Sequence, residues 1–214
     1  PLMSEAEWKS GFNSNDLPEV IWGSNVISTE TTFFRSYFYI ASNTFNGSHI
    51  RNNPKIADRR LVDAIPDTDY RGDVFLPDAP NSNSSAANGE GGWENNTNPL
   101  YQTEDEFRDA IASIKAEYGL VSGHNTHPYQ AFKLKQKNPG TIDPDDIIYM
   151  RTAEMYLIEA EAEAMLDNIV PAQNALQAIV STRDSAFDAT NFSTKSALME
   201  EIKFQRRLEL WGEG

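Results

Sequence analysis

The stretch "IIYMRTAEMYLIEAEAEAMLDN", residues 147–168, restricts the fold of this chain more than any other. It pairs a helical apolar spacing with a run of alanines small enough for a second helix to approach closely. Just upstream, Asp143 has the properties of an N-cap and Pro144 suits a first helical position. Asp145 and Asp146 would complement the positive end of the helix dipole. The pattern predicts a helix from about residue 144 to 166, with Ile147, Met150, Leu157 and Ala164 as its buried stripe. After a turn at Asp167–Asn168, a second helix is expected from near Pro171 to about Ser185. A third should run from near Ser193 to the end of the chain. Two antiparallel helices with a tight turn and small residues at 153, 160, 164, 175 and 178 form a helical hairpin of tetratricopeptide type. One such unit does not bury both faces, so partner helices are expected from elsewhere.

Charge sits inside this scaffold. Glu154 and Glu161 are seven residues apart and share a face beside the alanines, where a carboxylate needs a partner. Arg151 on the same helix, and Arg206 or Arg207 in the closing segment "QRRLELWGEG", are the partners at hand, which predicts a buried ion-pair network joining helices. Two glutamates could also serve a glycosidase, but that reading needs an open cleft between them. The structural role is preferred.

The remainder of the chain is loop-rich. A capping box at Ser4 and Glu7 opens a short helix, and "EVIWG" (19–23) reads as a strand. "TTFFRSYFYIAS" (31–42) carries five aromatics, and 52–72 mixes a short helical stretch with turn signals. Residues 77–99 are rich in Asn, Ser and Gly, and Thr103 with Glu106 caps another helix that Gly119 stops. Of the 214 residues, 18 are Lys or Arg and 32 Asp or Glu, a net charge of −14 that argues against nucleic acid as a partner. The absence of cysteine excludes disulfides and thiolate chemistry. No signal peptide or run of some 20 apolar residues is visible, and a start on proline reads as a processed or truncated segment. His124 and His127 have H-x-x-H spacing and "DPDD" (143–146) is acidic. A proline-containing loop and N-capping account for them, so no metal or cofactor is expected.

Three segments together resemble the C-terminal part of the SusD/RagB family of outer-membrane nutrient-binding lipoproteins. In "RTAEMYLIEAEAEA" the matching residues are Arg151, Ala153, Glu154, Ala160, Glu161 and Ala162; in "STRD", Thr182, Arg183 and Asp184. In the closing segment they are Arg206, Arg207, Glu209, Leu210, Glu213 and Gly214. "AIPDTDYRG", with Asp69 and Arg71, is similar to an upstream family element. The resemblance implies a mainly α fold: a tetratricopeptide-like helical-hairpin scaffold with long loops and a few short strands, part of a SusD-like α/α superhelix. Residues 1–140 would be the loop-rich ligand-facing region and 141–214 the helical scaffold, incomplete without N-terminal sequence.

The resemblance further implies a non-enzymatic cell-surface protein of the Gram-negative outer membrane. It would capture oligo- or polysaccharides and pass them to a SusC-like TonB-dependent transporter, with membrane contact only through a lipid anchor absent from this chain. A peptide-binding tetratricopeptide module is the alternative. Sugar capture uses aromatic faces rimmed by polar groups, which singles out Trp93 with Asn95, Asn96 and Tyr101, whose alternative role is a loop anchor packed onto the body, and secondly Phe33, Phe34 and Tyr37, whose alternative role is core.

Overall fold

The computed structural model describes residues 1–27, 29, 37–83 and 90–213. Phe33 and Phe34 lie outside the described residues. The chain opens with α1 (Glu5–Trp8), whose capping box is formed, and then β1 (Val20–Ser24). Three single-turn helices follow: α2 (Phe38–Ala41), α3 (Ser48–Asn52) and α4 (Arg59–Val62). After β2 (Phe75–Leu76) comes α5 (Glu104–Tyr118), which starts on the Thr103/Glu106 capping box and ends where Gly119 turns left-handed at φ 63°. β3 (Gln130–Ala131) and β4 (Ile147–Arg151) lead into α6 (Thr152–Met165), α7 (Ile169–Val180) and α8 (Lys195–Glu209). The fold is mainly helical, and among the described residues its sheets are two antiparallel pairs, β1 with β4 and β2 with β3.

The sequence reading misplaces the start of the main helix. Residues 147–151 are a strand, and the helix begins at Thr152. The β-prone run Ile147-Ile148-Tyr149 finds an antiparallel partner in "VIWGS", with Val20 opposite Arg151 and Ser24 opposite Ile147. Helical spacing cannot reveal that pairing, because the partner strand lies some 120 residues away. The aspartates read as helix-starters therefore do other work. Asp146 accepts hydrogen bonds from the Asn15 and Val26 amides, both at 3.0 Å, and Asp145 accepts from the Lys137 amide at 3.0 Å. Burial pushes the Asp145 carboxyl up to about 6.

The core has two parts. Ala153, Leu157, Ala160 and Ala164 on α6 meet Ala172, Ala175, Leu176, Ile179 and Val180 on α7, and Leu198 and Ile202 from α8 close over them. The second part gathers Trp8, Phe12, Phe38, Phe45, Phe75 and Leu134 around Leu208 near the other end of α8. One helix thus spans both. Away from α8, the hairpin leaves Ile158, Met165, Leu166 and Val170 exposed. Because Ala160 is fully buried where α6 meets α7, Ala160→Leu should force the helices apart. It is expected to cost about 1–3 kcal/mol, read as a lower urea midpoint at unchanged slope.

Candidate functional site

The last turn of α8 inserts a carboxylate, Glu209, into the middle of the molecule with no solvent exposure. One of its oxygens accepts from Arg151 Nη1 at 2.7 Å, Arg183 Nη2 at 3.2 Å and the Trp8 indole N–H at 3.2 Å. The other accepts from Arg71 Nη1 at 3.0 Å and Arg183 Nε at 3.3 Å. A second buried carboxylate, Glu19, binds Arg151 at 2.8 Å and Arg183, and takes the Met3 amide at 2.7 Å. Arg71 is also held by Asp69 at 2.6 Å and by the Gln205 amide oxygen at 2.5 Å. Arg151 reaches Glu213 at 2.6 and 2.8 Å. Lys133 donates to the carbonyls of Glu209 at 2.6 Å and Trp211 at 2.9 Å, and pairs with Glu213. Arg71, Lys133, Arg151 and Arg183 therefore face Asp69, Glu19, Glu209 and Glu213, and the knot is neutral. Burial alone would raise the Glu209 carboxyl, but Arg151, Arg183 and Arg71 hold it well below the ordinary carboxylate range. Lys133 is pulled down to about 8 by burial, against the opposing pull of Glu213.

The network expected from Glu154 and Glu161 has a different geometry. Both are half-exposed and share Arg206, at 3.9 and 3.0 Å, at the edge where α8 crosses α6. They flank the alanine stripe without lying in it, and Arg207 is exposed. Of the five residues singled out, only Arg151 enters the buried knot. Glu19, Asp69, Arg71, Lys133, Arg183, Glu209 and Glu213 were not singled out for it, although most of them sit in the family-like segments quoted above. Arg206 contacts both Glu154 and Glu161, the arrangement of a structural ion pair.

Above this knot lies a groove of about 250 Å³ lined by Tyr37, Ile147, Ile148, Tyr149, Met150, Arg151, Glu154, Leu210 and Glu213. Two arms of the knot, Arg151 and Glu213, form part of its wall. Burial pushes the Tyr37 hydroxyl up to about 12, with Glu213 adding to the effect, so it stays a neutral phenol at physiological pH. On the rim Trp22 leans on Tyr149, ring centroids 5.0 Å apart and planes tilted by 53°. These are exposed residues, Trp22 at 61% and Tyr149 at 50%. Antiparallel pairing of β1 with β4 brings the two rings together, a juxtaposition that neither segment reveals alone.

The residues at 93–101 do come together in one loop. Trp93 begins a 3-10 turn after Gly92, whose φ of 118° and closeness to the Asn81 carbonyl exclude a side chain. Its half-buried ring packs edge-on against Phe107 at 5.8 Å, and Tyr101 does the same at 5.8 Å. The Tyr101 hydroxyl donates to the Asp78 carbonyl at 2.6 Å, and the Asn96 amide to the carbonyls of Asn98 and Tyr101, both at 3.3 Å. Their polar groups are engaged within the loop, while Asn95 is exposed. The H-x-x-H histidines do not converge: His124 is buried against the Phe45 carbonyl at 3.1 Å, and His127 contacts the Pro128 carbonyl at 2.9 Å. Among the described residues no three metal-ligating side chains cluster.

A family model described as the SusD family matches residues 18–214. The chain belongs to the SusD family. Solved SusD-family structures share its fold. A SusD-like carbohydrate binding protein from Bacteroides vulgatus superposes over 100% of the chain with a TM-score of 0.59 and 24% identity. A SusD superfamily protein from Bacteroides thetaiotaomicron does so over 100% with a TM-score of 0.57 and 19% identity. A SusD-like protein from Bacteroides fragilis covers 97% with a TM-score of 0.54 and 15% identity. The chain spans 36%, 40% and 44% of the length of these three. No curated protein matches it.

The knot makes a two-part prediction. Glu209→Gln should cost about 3–5 kcal/mol, because it strands buried guanidiniums, whereas Glu161→Gln, at a side chain 45% exposed, should cost at most about 1 kcal/mol. Urea unfolding of the two variants measures the contrast. The Glu209 and Glu213 carboxyls are both lowered in the fold. The unfolded chain therefore binds more protons in acid, and the stability these groups supply is present above the ordinary glutamate value of 4.5 and lost as the pH falls below it. A urea series across that range should show a steep acid loss in the native chain and a shallower one in Glu209→Gln.

Proposed function

We propose that this chain is part of a cell-surface glycan-binding protein that captures oligo- or polysaccharides without chemically altering them. The observation that carries the reading is the exposed Trp22–Tyr149 pair beside a groove with a neutral phenol and a half-exposed carboxylate. Tilted aromatic faces suit the C–H side of a pyranose ring, and Tyr37 and Glu154 suit its hydroxyls. Membership of the SusD family and the carbohydrate-binding relative support the same class of ligand. In this reading Trp93 and Asn95 form a second, weaker contact, with Asn96 and Tyr101 bracing the loop. Delivery to a SusC-like TonB-dependent transporter at the outer membrane is the corresponding destination. Among the described residues no helix is long and apolar enough to cross a membrane.

Affinity electrophoresis through gels containing different neutral polysaccharides tests this. Trp22→Ala and Tyr149→Ala are each expected to weaken retention about tenfold, equivalent to 1.4 kcal/mol, with thermal midpoints close to the parent. Trp93→Ala should lower the midpoint as well, because its ring braces Phe107. Retention unaffected by both Trp22→Ala and Tyr149→Ala would remove the rim as the site. Binding of unstructured peptides with no glycan retained would replace the reading with a peptide-binding one.

A further inference from the structure

A second groove, of about 490 Å³, lies between α4 and the end of α8, lined by Asp58, Arg60, Leu61, Arg207 and Trp211. Its charge runs against the rest of the molecule. The chain carries a net charge of −14, a field that repels anions unless cations are placed locally. The basic side chains around this groove are nearly all matched to carboxylates: Arg59 with Asp63 at 2.8 Å, Arg60 with Asp58 at 2.7 Å, Lys203 with Glu200 at 2.8 Å and Arg206 with Glu161 at 3.0 Å. Arg207 differs. It is exposed, and among the described residues it has no carboxylate within salt-bridge distance. It lines both this groove and a neighbouring one of about 380 Å³ formed with Glu200, Lys203 and Arg206. The free guanidinium shares the groove with Trp211, four residues on and just past the end of α8, whose half-buried ring packs edge-on against Phe75 at 5.6 Å.

We propose that this groove binds an anionic sugar residue, its ring on Trp211 and its acid group on Arg207. A planar guanidinium offers parallel N–H donors that match a carboxylate or sulfate in two-point contact, and a rigid indole offers a face to the sugar ring. Arg60 adds positive potential at the opposite wall while remaining tied to Asp58. The proximity of Arg60, and at longer range of Arg207, is reflected in the Asp58 carboxyl, which hydrogen bonds from Arg60 lower to about 2 and which therefore stays a fixed anion. An incoming acid group is thereby directed away from Asp58 and towards Arg207. The inference rests on the glycan-binding reading above and names the class of sugar that this separate groove selects.

Titration calorimetry on the intact chain tests it with trigalacturonate, the neutral galactotriose and a sulfated galactotriose as probes, at low and moderate ionic strength. Trigalacturonate or the sulfated sugar should bind at least tenfold more tightly than the neutral one, with an affinity that falls as salt rises; which of the two binds better identifies the acid group. Arg207→Gln should lose that preference, Arg207→Lys should keep part of it, and Lys195→Gln, an equal charge change at the start of α8, should keep all of it. Equal affinity for acidic and neutral sugars, an unchanged Arg207→Gln, or equally tight binding of hexaglutamate would each overturn the proposal. Retention of neutral polysaccharide through Trp22 and Tyr149 without any preference for acid would overturn this inference alone. Loss of all glycan binding would overturn both.

Discussion

Everything in this molecule is arranged around a carboxylate that has no water to solvate it. Glu209 sits in the last turn of α8, and the free energy of leaving it unpaired there would amount to several kcal/mol. Three arginines from three distant segments converge to meet it: Arg71 after α4, Arg151 at the junction of β4 and α6, and Arg183 after α7. Each needs a further acceptor, and Asp69, Glu19 and Glu213 supply these. The result ties the first twenty residues, the loop-rich middle and the helical end into one neutral cluster. Such a cluster adds less net stability than its many contacts suggest, because desolvating each charge opposes the attraction. Its larger effect is on specificity, since an alternative packing that displaced one member would strand the others.

That same cluster supports the rim of the candidate binding groove. Arg151 is both the residue before α6 and a wall of the groove, and Glu213 is held by Arg151 and Lys133. The strand that ends in Arg151 is paired with β1, which places Trp22 against Tyr149. A rigid charged base beneath an aromatic rim means that little ordering is left for binding to impose, which favours affinity. Phe12 belongs to the same construction. Its ring lies 4.9 Å from the Lys133 ammonium and 4.8 Å from the Arg151 guanidinium, and a backbone φ of 56° holds it there. That conformation is uncommon for an aromatic residue, and the cation contacts offset its cost.

Much of the scaffold was legible along the chain, and the reason is local. The capping boxes at Ser4/Glu7 and Thr103/Glu106, the stop at Gly119 and the helical course after 152, with Leu157 and Ala164 on its buried face, follow from residues a few positions apart, whereas Ile147 and Met150, expected on the same stripe, fall half-buried in β4. The family resemblance was equally local, carried by short segments. What local reading misplaced was residues 143–151. Asp143 and Pro144 have the chemistry of a helix start, yet the following residues were claimed by a strand partner some 120 positions earlier.

The sequence by itself determined the mainly helical class, the hairpin, the family and the presence of charge beside apolar helix faces, because each depends on spacing or composition. Only the tertiary structure decided which charges are buried. Glu154 and Glu161 look like natural partners for the terminal arginines, but the helix phase that buries Ala160 leaves them at the edge sharing Arg206, while Glu209 takes the interior with arginines from 26 to 138 residues away. The folded chain likewise chose the aromatic rim. Trp93 drew notice because it stands in a polar loop, yet its ring braces Phe107; Trp22 and Tyr149, in segments read as a strand and as part of a helix, are brought together and left exposed by the pairing of two strands. The physical reason is the same in both cases. Burial and pairing are properties of three-dimensional neighbours, and a residue's neighbours in sequence fix only its local backbone geometry.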